Sequence, residues 1–504
     1  MVRNLRTLIR ACGWTVFAPA TLVSLVSLVG CDSPSAKSPT VASTSTTSTA
    51  SGEQRLASNS EVATDSGRAQ ELGTQELGTE KKQEGTQPGD AAAKLTESKP
   101  ADAKATEAKI TEAKPSAVQE KPKEVELDAS VLVDELLAAR LSPEELDQGW
   151  IRLFDGQSMI GWKNTSSADW AVKDGELVAS AGDPGLLVTQ VRFSDYEIEL
   201  EYFSSEQTNS GLFLRTPEQP TDPAKDCYEL NIAPPDNPFP TGSLVARAKV
   251  DESIDEPNAG VWNTLHALVD QNRIQAWVNG QQSVDYTDDT GLTSGRIGLQ
   301  FREGTIRFRN IRIRPIGYSL IPNAKPSDWN EPKGMIEAKF TETGTIQLKG
   351  GRGHLELLQP HANVCIQATA LTLVEAVNSG IFFRCIPGED MNGYECQIHH
   401  GFKEDRRRAV DAGSGSIFRR QNAKAVLSDE GRPAHLTIVA DGPVIATWVE
   451  GIQVVQWEDT RKPDDNPRKG LRTAAGTIML QGHDPTTEIE FTRLLLSPIT
   501  DTNE

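Results

Sequence analysis

Asn209-Ser210-Gly211-Leu212-Phe213-Leu214-Arg215 returns later in the chain as Asn378-Ser379-Gly380-Ile381-Phe382-Phe383-Arg384. Both ends of the stretch share one offset. A second pair follows in the same order, Cys227-Tyr228-Glu229-Leu230-Asn231-Ile232 and Gly393-Tyr394-Glu395-Cys396-Gln397-Ile398. A third closes each copy, Ile297-Gly298-Leu299-Gln300 and Ile478-Met479-Leu480-Gln481. Three ordered matches at nearly one spacing describe a duplicated domain. A period this long means two globular units rather than a solenoid of short repeats.

Strand signals dominate within the copies. Tyr196, Ile198, Leu200 and Tyr202 alternate with Glu197, Glu199 and Glu201, the pattern of a half-buried antiparallel strand. Asp174-Gly175 and Asn279-Gly280 are the dipeptides that primed hairpin turns require. Many short strands with such turns and no helical period predict an all-β chain, two tandem sandwiches over residues 149–317 and 327–498.

What precedes them reads as an address and a tether. Arg3, Arg6 and Arg10 lead an apolar run from Ala11 to Val29, and the run ends Leu28-Val29-Gly30-Cys31. Residues 1–31 therefore read as a secretory signal, and the ending resembles a bacterial lipobox. Lipidation of Cys31 would anchor an exported protein at the membrane, on the envelope side. Residues 32–126 hold no aromatic residue and are rich in Ser, Thr, Ala, Lys, Glu and Gln, so they predict a disordered linker. Residues 127–148 change character. Val131, Leu132, Leu136, Leu137 and Leu141 are helically spaced, and Ser142-Pro143-Glu144-Glu145 has the form of a helix start.

A net charge of −20 argues against nucleic acid as a partner. Six cysteines in 504 residues do not make a disulfide scaffold. Cys385 and Cys396 fall on the core side of strands that could be neighbours, which leaves a disulfide and two buried thiols both open.

Period-two counting then sorts the polar residues. Glu229 and Asn231 oppose Tyr228, Leu230 and Ile232, and Gln300 and Arg302 oppose Ile297, Leu299 and Phe301. Arg215 shares a face with Phe213. If these strands are neighbours, Arg215, Glu229, Asn231, Gln300 and Arg302 line one face, with Trp262 or Trp277 as an aromatic platform for a sugar ring. In the second copy Glu395, Gln397 and His399 share a face, joined by Arg384, Gln481, His483 and Asp484. A carboxylate, amides, imidazoles and a guanidinium suit proton transfer on a polyol. Glu395, His399 and His483 could also hold a divalent cation, although no tight ligand spacing calls for one. No other cofactor is implied. Arg406-Arg407-Arg408 and Arg419-Arg420 read as a solvated basic loop or as a reader of anionic substrate.

The first copy opens Leu153-Phe154-Asp155-Gly156-Gln157 and Gly161-Trp162, continues through Thr241-Gly242, Trp262-Asn263 and Asn279-Gly280, and ends Phe308-Arg309-Asn310-Ile311-Arg312-Ile313. This ordered set resembles the 3-keto-disaccharide hydrolase domain family, also known as domain of unknown function 1080. The second copy resembles it more loosely, through Tyr394-Glu395, Trp448 to Gly451 and Leu480-Gln481-Gly482-His483-Asp484. The resemblance implies concanavalin-like jelly-roll sandwiches, a carbohydrate partner and cleavage of 3-keto-glycosides by acid–base elimination. It points to Glu395 or His483 as base, with Arg384, Gln397, His399 and Gln481 positioning the sugar. Arg215, Glu229, Asn231 and Gln300 would bind sugar in the first copy. The alternative is a non-catalytic, lectin-like envelope protein. Departures from the family pattern are Arg302 for a His in the first copy, and in the second the missing Phe-Asp-Gly opening, Ala434-His435 for Trp-Asn, and Glu450 for a turn Asn.

Overall fold

The computed structural model describes residues 130–500 apart from 251–254, 256, 290 and 321–325. The expected signal segment, Cys31 and the 32–126 linker lie outside the described residues.

Two short helices come first. Val133–Ala138 buries Leu136. Pro143–Gln148 starts with a full capping box between Ser142 and Glu145 and ends at Gly149, whose φ of 94° suits a residue without Cβ. The strands that follow form two mostly β repeats with curled sheets, tandem jelly-roll sandwiches.

In the first repeat Tyr196–Ser204 is buried at every second residue, as its alternation predicts. It lies in the larger sheet beside Trp262–Asp270 and Ile306–Pro315. Asp174-Gly175 and Asn279-Gly280 all have positive φ, the backbone of a primed turn. The smaller sheet has the spatial order Trp162–Asn164, Gly185–Thr189, Arg296–Glu303, Asn209–Thr216, Tyr228–Ile232. Tyr228, Leu230, Ile232, Leu212, Leu214, Ile297 and Leu299 pack between the sheets.

The second repeat keeps this order with one change. Ile346–His361 is 16 residues long. Its first half pairs with Glu488–Pro498 (Ile346 opposite Phe491) and its second half with Gly476–Gly482 (His354 opposite Gln481). One strand thus belongs to both layers, and the two sheets merge into one curled sheet. Ser379–Cys385 and Tyr394–Ile398 complete the row beside Gly476–Gly482.

Both repeats belong to one compact unit. Cys365, Val439, Ala446 and Trp448 of the second repeat join the apolar cluster of the first. Ala434–Asp441 and Val444–Val449 are consequently buried almost throughout instead of at alternate residues. Polar links cross the seam. Lys424 meets Asp155 at 2.7 Å, Arg192 meets Asp441 at 2.6 Å, and the Trp448 indole donates to the Arg152 carbonyl at 2.8 Å.

Period-two counting fails at one repeated place. Leu214 and Arg215 together stand opposite Ile297, and Phe383 and Arg384 together stand opposite Ile478. Each is a β-bulge, and each arginine has positive φ, 49° and 50°. The bulge turns the guanidinium away from the face that Phe213 occupies and into the body of the repeat. Arg215 donates to the carbonyls of Ser194 (2.8 Å), Gln271 (2.6 Å) and Leu292 and pairs with Asp195 at 2.6 Å. Arg384 donates to the carbonyls of Ala362 (2.7 Å), Gly442 (2.6 Å) and Arg472 (3.3 Å) and to Asn363 Oδ1 (3.1 Å). Both are buried braces that tie loops to the sheet.

Removing such a brace strands several buried acceptors. Arg384→Met is therefore expected to cost about 3 kcal/mol or more in urea unfolding. Arg408→Met, which breaks only an exposed pair with Glu404, is expected to cost less than about 1 kcal/mol.

Candidate functional site

The site lies on the far face of the smaller sheet, the side turned away from the main core. In the second repeat Glu395 and Gln397 project there from Tyr394–Ile398, because Tyr394, Cys396 and Ile398 are in the core. Gly380 pairs with Gln397 on the next strand. A Cβ on Gly380 would lie 3.1 Å from Glu395 Cγ and 3.2 Å from its Oε1. The glycine of the Asn-Ser-Gly motif thus makes room for the glutamate to lie across it. The same contact recurs in the first repeat, where a Cβ on Gly211 would lie 3.3 Å from Glu229 Cγ and 3.4 Å from its Oε1.

Burial acts strongly on these two carboxyls. It pushes Glu395 up to about 7, against the weaker pull of Arg468 and Arg419. It also pushes Glu229 up to about 7, against Arg302 and a hydrogen bond from Gln300. Among the described residues neither carboxylate has a salt-bridge partner in contact. The amide oxygens of Gln397 and Gln481, and of Gln300 in the first repeat, are buried and have no hydrogen-bond partner among the described residues. Unmet acceptors around a half-neutral carboxyl are what a polyol hydroxyl would satisfy.

The expected residues divide. Glu395, Gln397 and Gln481 project from one face, on strands that flank Ser379–Cys385. Gln397 donates to Asn378 Oδ1 at 3.2 Å, and Asn378 donates to Asp411 at 3.2 Å. His399 continues the Glu395 strand, with Nε2 4.0 Å from Asp411 and Nδ1 accepting from the Gly401 N–H at 3.1 Å. His483 is exposed and bonds Asp484 at 2.9 Å. Arg384 and Arg215 are not at the site; the bulges send them to backbone carbonyls. In the first repeat Glu229 and Gln300 meet, and the Asn231 amide donates to the Phe239 carbonyl.

Other expectations need correction. Trp262 and Trp277 lie in the larger sheet, away from the glutamate. Arg309 covers the Trp262 ring at 3.9 Å, and His266 stacks on Trp277 at 4.5 Å. Neither offers a sugar platform beside Glu229. The basic run is largely self-paired, Arg406 with Asp429, Arg407 with Asp405 and Arg408 with Glu404. Cys385 and Cys396 are buried free thiols.

Sequence counting missed His354 and Glu356. They alternate with Leu355 and Leu357 on the long strand, a signal that was present. Their counterparts opposite the same late strand in the first repeat are Leu186 and Val188, so comparing the copies concealed them. Burial alone would raise the Glu356 carboxyl, but hydrogen bonds from Thr477 (2.7 Å), the Gly388 N–H (3.1 Å) and Asn330 (2.8 Å) outweigh it and hold the group below its ordinary value. A divalent cation could also be held elsewhere, by Glu197, Glu199 and His266 on the larger sheet of the first repeat. His266 bonds Glu197 at 2.8 Å there, and Glu197 and Glu199 also pair with Arg314 and Arg312.

Jelly-roll repeats carrying a carboxyl and amides on one face describe a carbohydrate-binding or carbohydrate-processing protein. The profile of the 3-keto-alpha-glucoside-1,2-lyase-like domain matches residues 149–314 and again 319–494, and the chain belongs to that family. A stretch of 82 residues is 32% identical to the 3-keto-disaccharide hydrolase of Bacteroides thetaiotaomicron, covering 14% of this chain and 28% of that protein. The chain therefore spans under a third of that curated relative. Among solved structures, a Parabacteroides distasonis protein provisionally described as a glycosyl hydrolase matches 35% of this chain with 99% of its own, at 21% identity and a TM-score of 0.33. The carbohydrate-binding module CBM66 of Bacillus subtilis matches 31% of this chain with 95% of its own, at 16% identity and a TM-score of 0.25.

The raised carboxyl has a consequence for stability. A glutamate near 4.5 when unfolded and about 7 when folded favours the fold while protonated. That contribution is complete below about pH 4.5 and is lost as pH rises through about 7, a change on the order of 3 kcal/mol at most. Glu395→Gln is expected to match wild type in urea midpoint at pH 4 and to exceed it at pH 8.

Proposed function

We propose that the second repeat cleaves 3-keto-glycosides, with Glu395 as the general base. The observation that carries this reading is the Glu395 carboxyl, held at about 7 over Gly380 beside the unpartnered oxygens of Gln397 and Gln481. A ketone at carbon three acidifies the hydrogen on carbon two. Glu395 takes that proton, and the electron pair moves into the enolate. As the enolate collapses, the bond from carbon one to the glycosidic oxygen breaks, and the departing oxygen takes a proton from an acid or from water. That collapse restores the ketone and leaves a double bond between carbons one and two. Water then adds across it, hydroxyl to carbon one and hydrogen to carbon two, which completes net hydrolysis. A base poised near neutrality suits the first step, and amide N–H groups suit the enolate oxygen.

The same reading gives the first repeat a binding role, since Arg302, which bears on Glu229, stands where the second repeat has His483. It also includes export and tethering through Cys31, which rest on the Leu28-Val29-Gly30-Cys31 ending. Cys31→Ala is then expected to move the protein from the membrane fraction to the soluble fraction of the envelope.

Turnover of a 3-keto-glucoside is the decisive measurement. Glu395→Gln is expected to lower kcat by roughly 10²–10⁴-fold while leaving sugar binding in place. For wild type, kcat/KM is expected to rise with pH through a midpoint near 7. Gly380→Ala, whose methyl would crowd the carboxylate, is expected to lose at least about tenfold in kcat with the fold intact. No wild-type turnover together with saturable glycan binding would instead identify a lectin-like protein.

A further inference from the structure

His354 is an unexplained polar residue. It pairs with Gln481 across the sheet, so its side chain joins the row that holds Gln481 and Gln397. It is buried, and its Nε2 has no hydrogen-bond partner among the described residues. Lys333, Glu356 and Asp390 are the charged groups that bear on it. Glu356 is already engaged by Thr477, the Gly388 N–H and Asn330, and Lys333 donates to the Gly388 carbonyl.

The duplication supplies an internal comparison. The residue opposite Gln300 in the first repeat is Leu186, which packs quietly with Val188, Phe213 and Cys227. The fold accepts a leucine here. An imidazole with a stranded nitrogen is a cost that leucine avoids. An occupant that bonds that nitrogen would offset it.

Spacing says where on the occupant His354 would act. The Glu395 carboxylate lies over Gly380, the Gln481 strand comes next, and the His354 strand follows. Two strand spacings separate carboxylate and imidazole, about 10 Å, which is too far for one pyranose ring and suits two linked rings. We propose that His354 hydrogen-bonds the sugar on the leaving-group side of the scissile bond and is the residue that makes the second repeat prefer a sugar aglycone to a small one. This rests on Glu395 marking the bond that breaks. Burial keeps the imidazole below its ordinary range, so it meets a hydroxyl as a neutral partner.

The test compares two substrates, a 3-keto-disaccharide and the 3-keto-glucoside with only a methyl aglycone. His354→Leu is expected to lower kcat/KM for the disaccharide by about 10–100-fold, mainly through KM, and to leave the methyl glucoside within about twofold. His354→Asn is expected to restore part of the loss. Thermal stability of His354→Leu should equal or exceed wild type. Equal losses on both substrates, or none on either, overturn the subsite. If wild type turns over neither substrate, the cleavage reading fails and the subsite is judged by binding. An NMR titration with maltose and with glucose is then read in wild type and His354→Leu. Maltose affinity falling at least tenfold with glucose unchanged supports the subsite; unchanged maltose affinity, or no sugar binding by wild type, overturns it.

Discussion

Each repeat is organised by an arginine that leaves its expected face. Arg215 and Arg384 sit on bulges and spend their guanidinium groups on backbone carbonyls from separate loops. The bulge is what lets one strand serve two masters. Before it, Gly211 and Gly380 lie flat beneath a glutamate; after it, the arginine points into the body and holds the loops that close the repeat. Gly295 and Gly476 mark the same spot from the neighbouring strand, where a Cβ would strike the arginine backbone. Losing the brace would disturb the strand that carries the site glycine, so stability and site geometry are joined here.

Two copies of one plan have diverged around that constraint. Tyr228 donates to Asp288 in the first repeat, and Tyr394 donates to Asp459 in the second. The arginine that neutralises the aspartate differs in origin. Arg247 comes from a distant loop, whereas Arg461 lies two residues from its partner. The glutamates, the glycines beneath them and one glutamine are retained in both repeats. The neighbours are not: Asn231 donates to the Phe239 carbonyl whereas Gln397 donates to the Asn378 side chain, and Leu186 stands where the second repeat has His354. Shared backbone with unlike surroundings fits a division of labour between the repeats.

The pairing of the repeats has its own physical cause. The Phe-Asp-Gly opening is absent from the second repeat, and Asp155 of that opening is committed across the seam to Lys424 while also accepting the N–H groups of Gln157 and Ser158. The buried strands Ala434–Asp441 and Val444–Val449 need a cover, and the first repeat supplies it. A motif that reads as a domain opening is therefore also part of the joint.

Much of this was open to reading in the amino-acid order. Duplication was written in three matched stretches, strand faces in period-two alternation, and hairpins in Asp-Gly and Asn-Gly. The same alternation put Glu229, Glu395, Gln397, Gln300 and Gln481 opposite the core residues of their strands. These are local properties: a strand's faces follow from its own residues, and a primed turn from its own dihedral needs. Tertiary structure decided the rest. A bulge depends on what the next strand can accommodate, so Arg215 and Arg384 could not be placed by counting. Trp262 and Trp277 could not be assigned to a sheet until the sheets were ordered. His354 acquired meaning only when register set it beside Gln481 and its counterpart beside Gln300, because pairing between distant strands is a property of the whole fold.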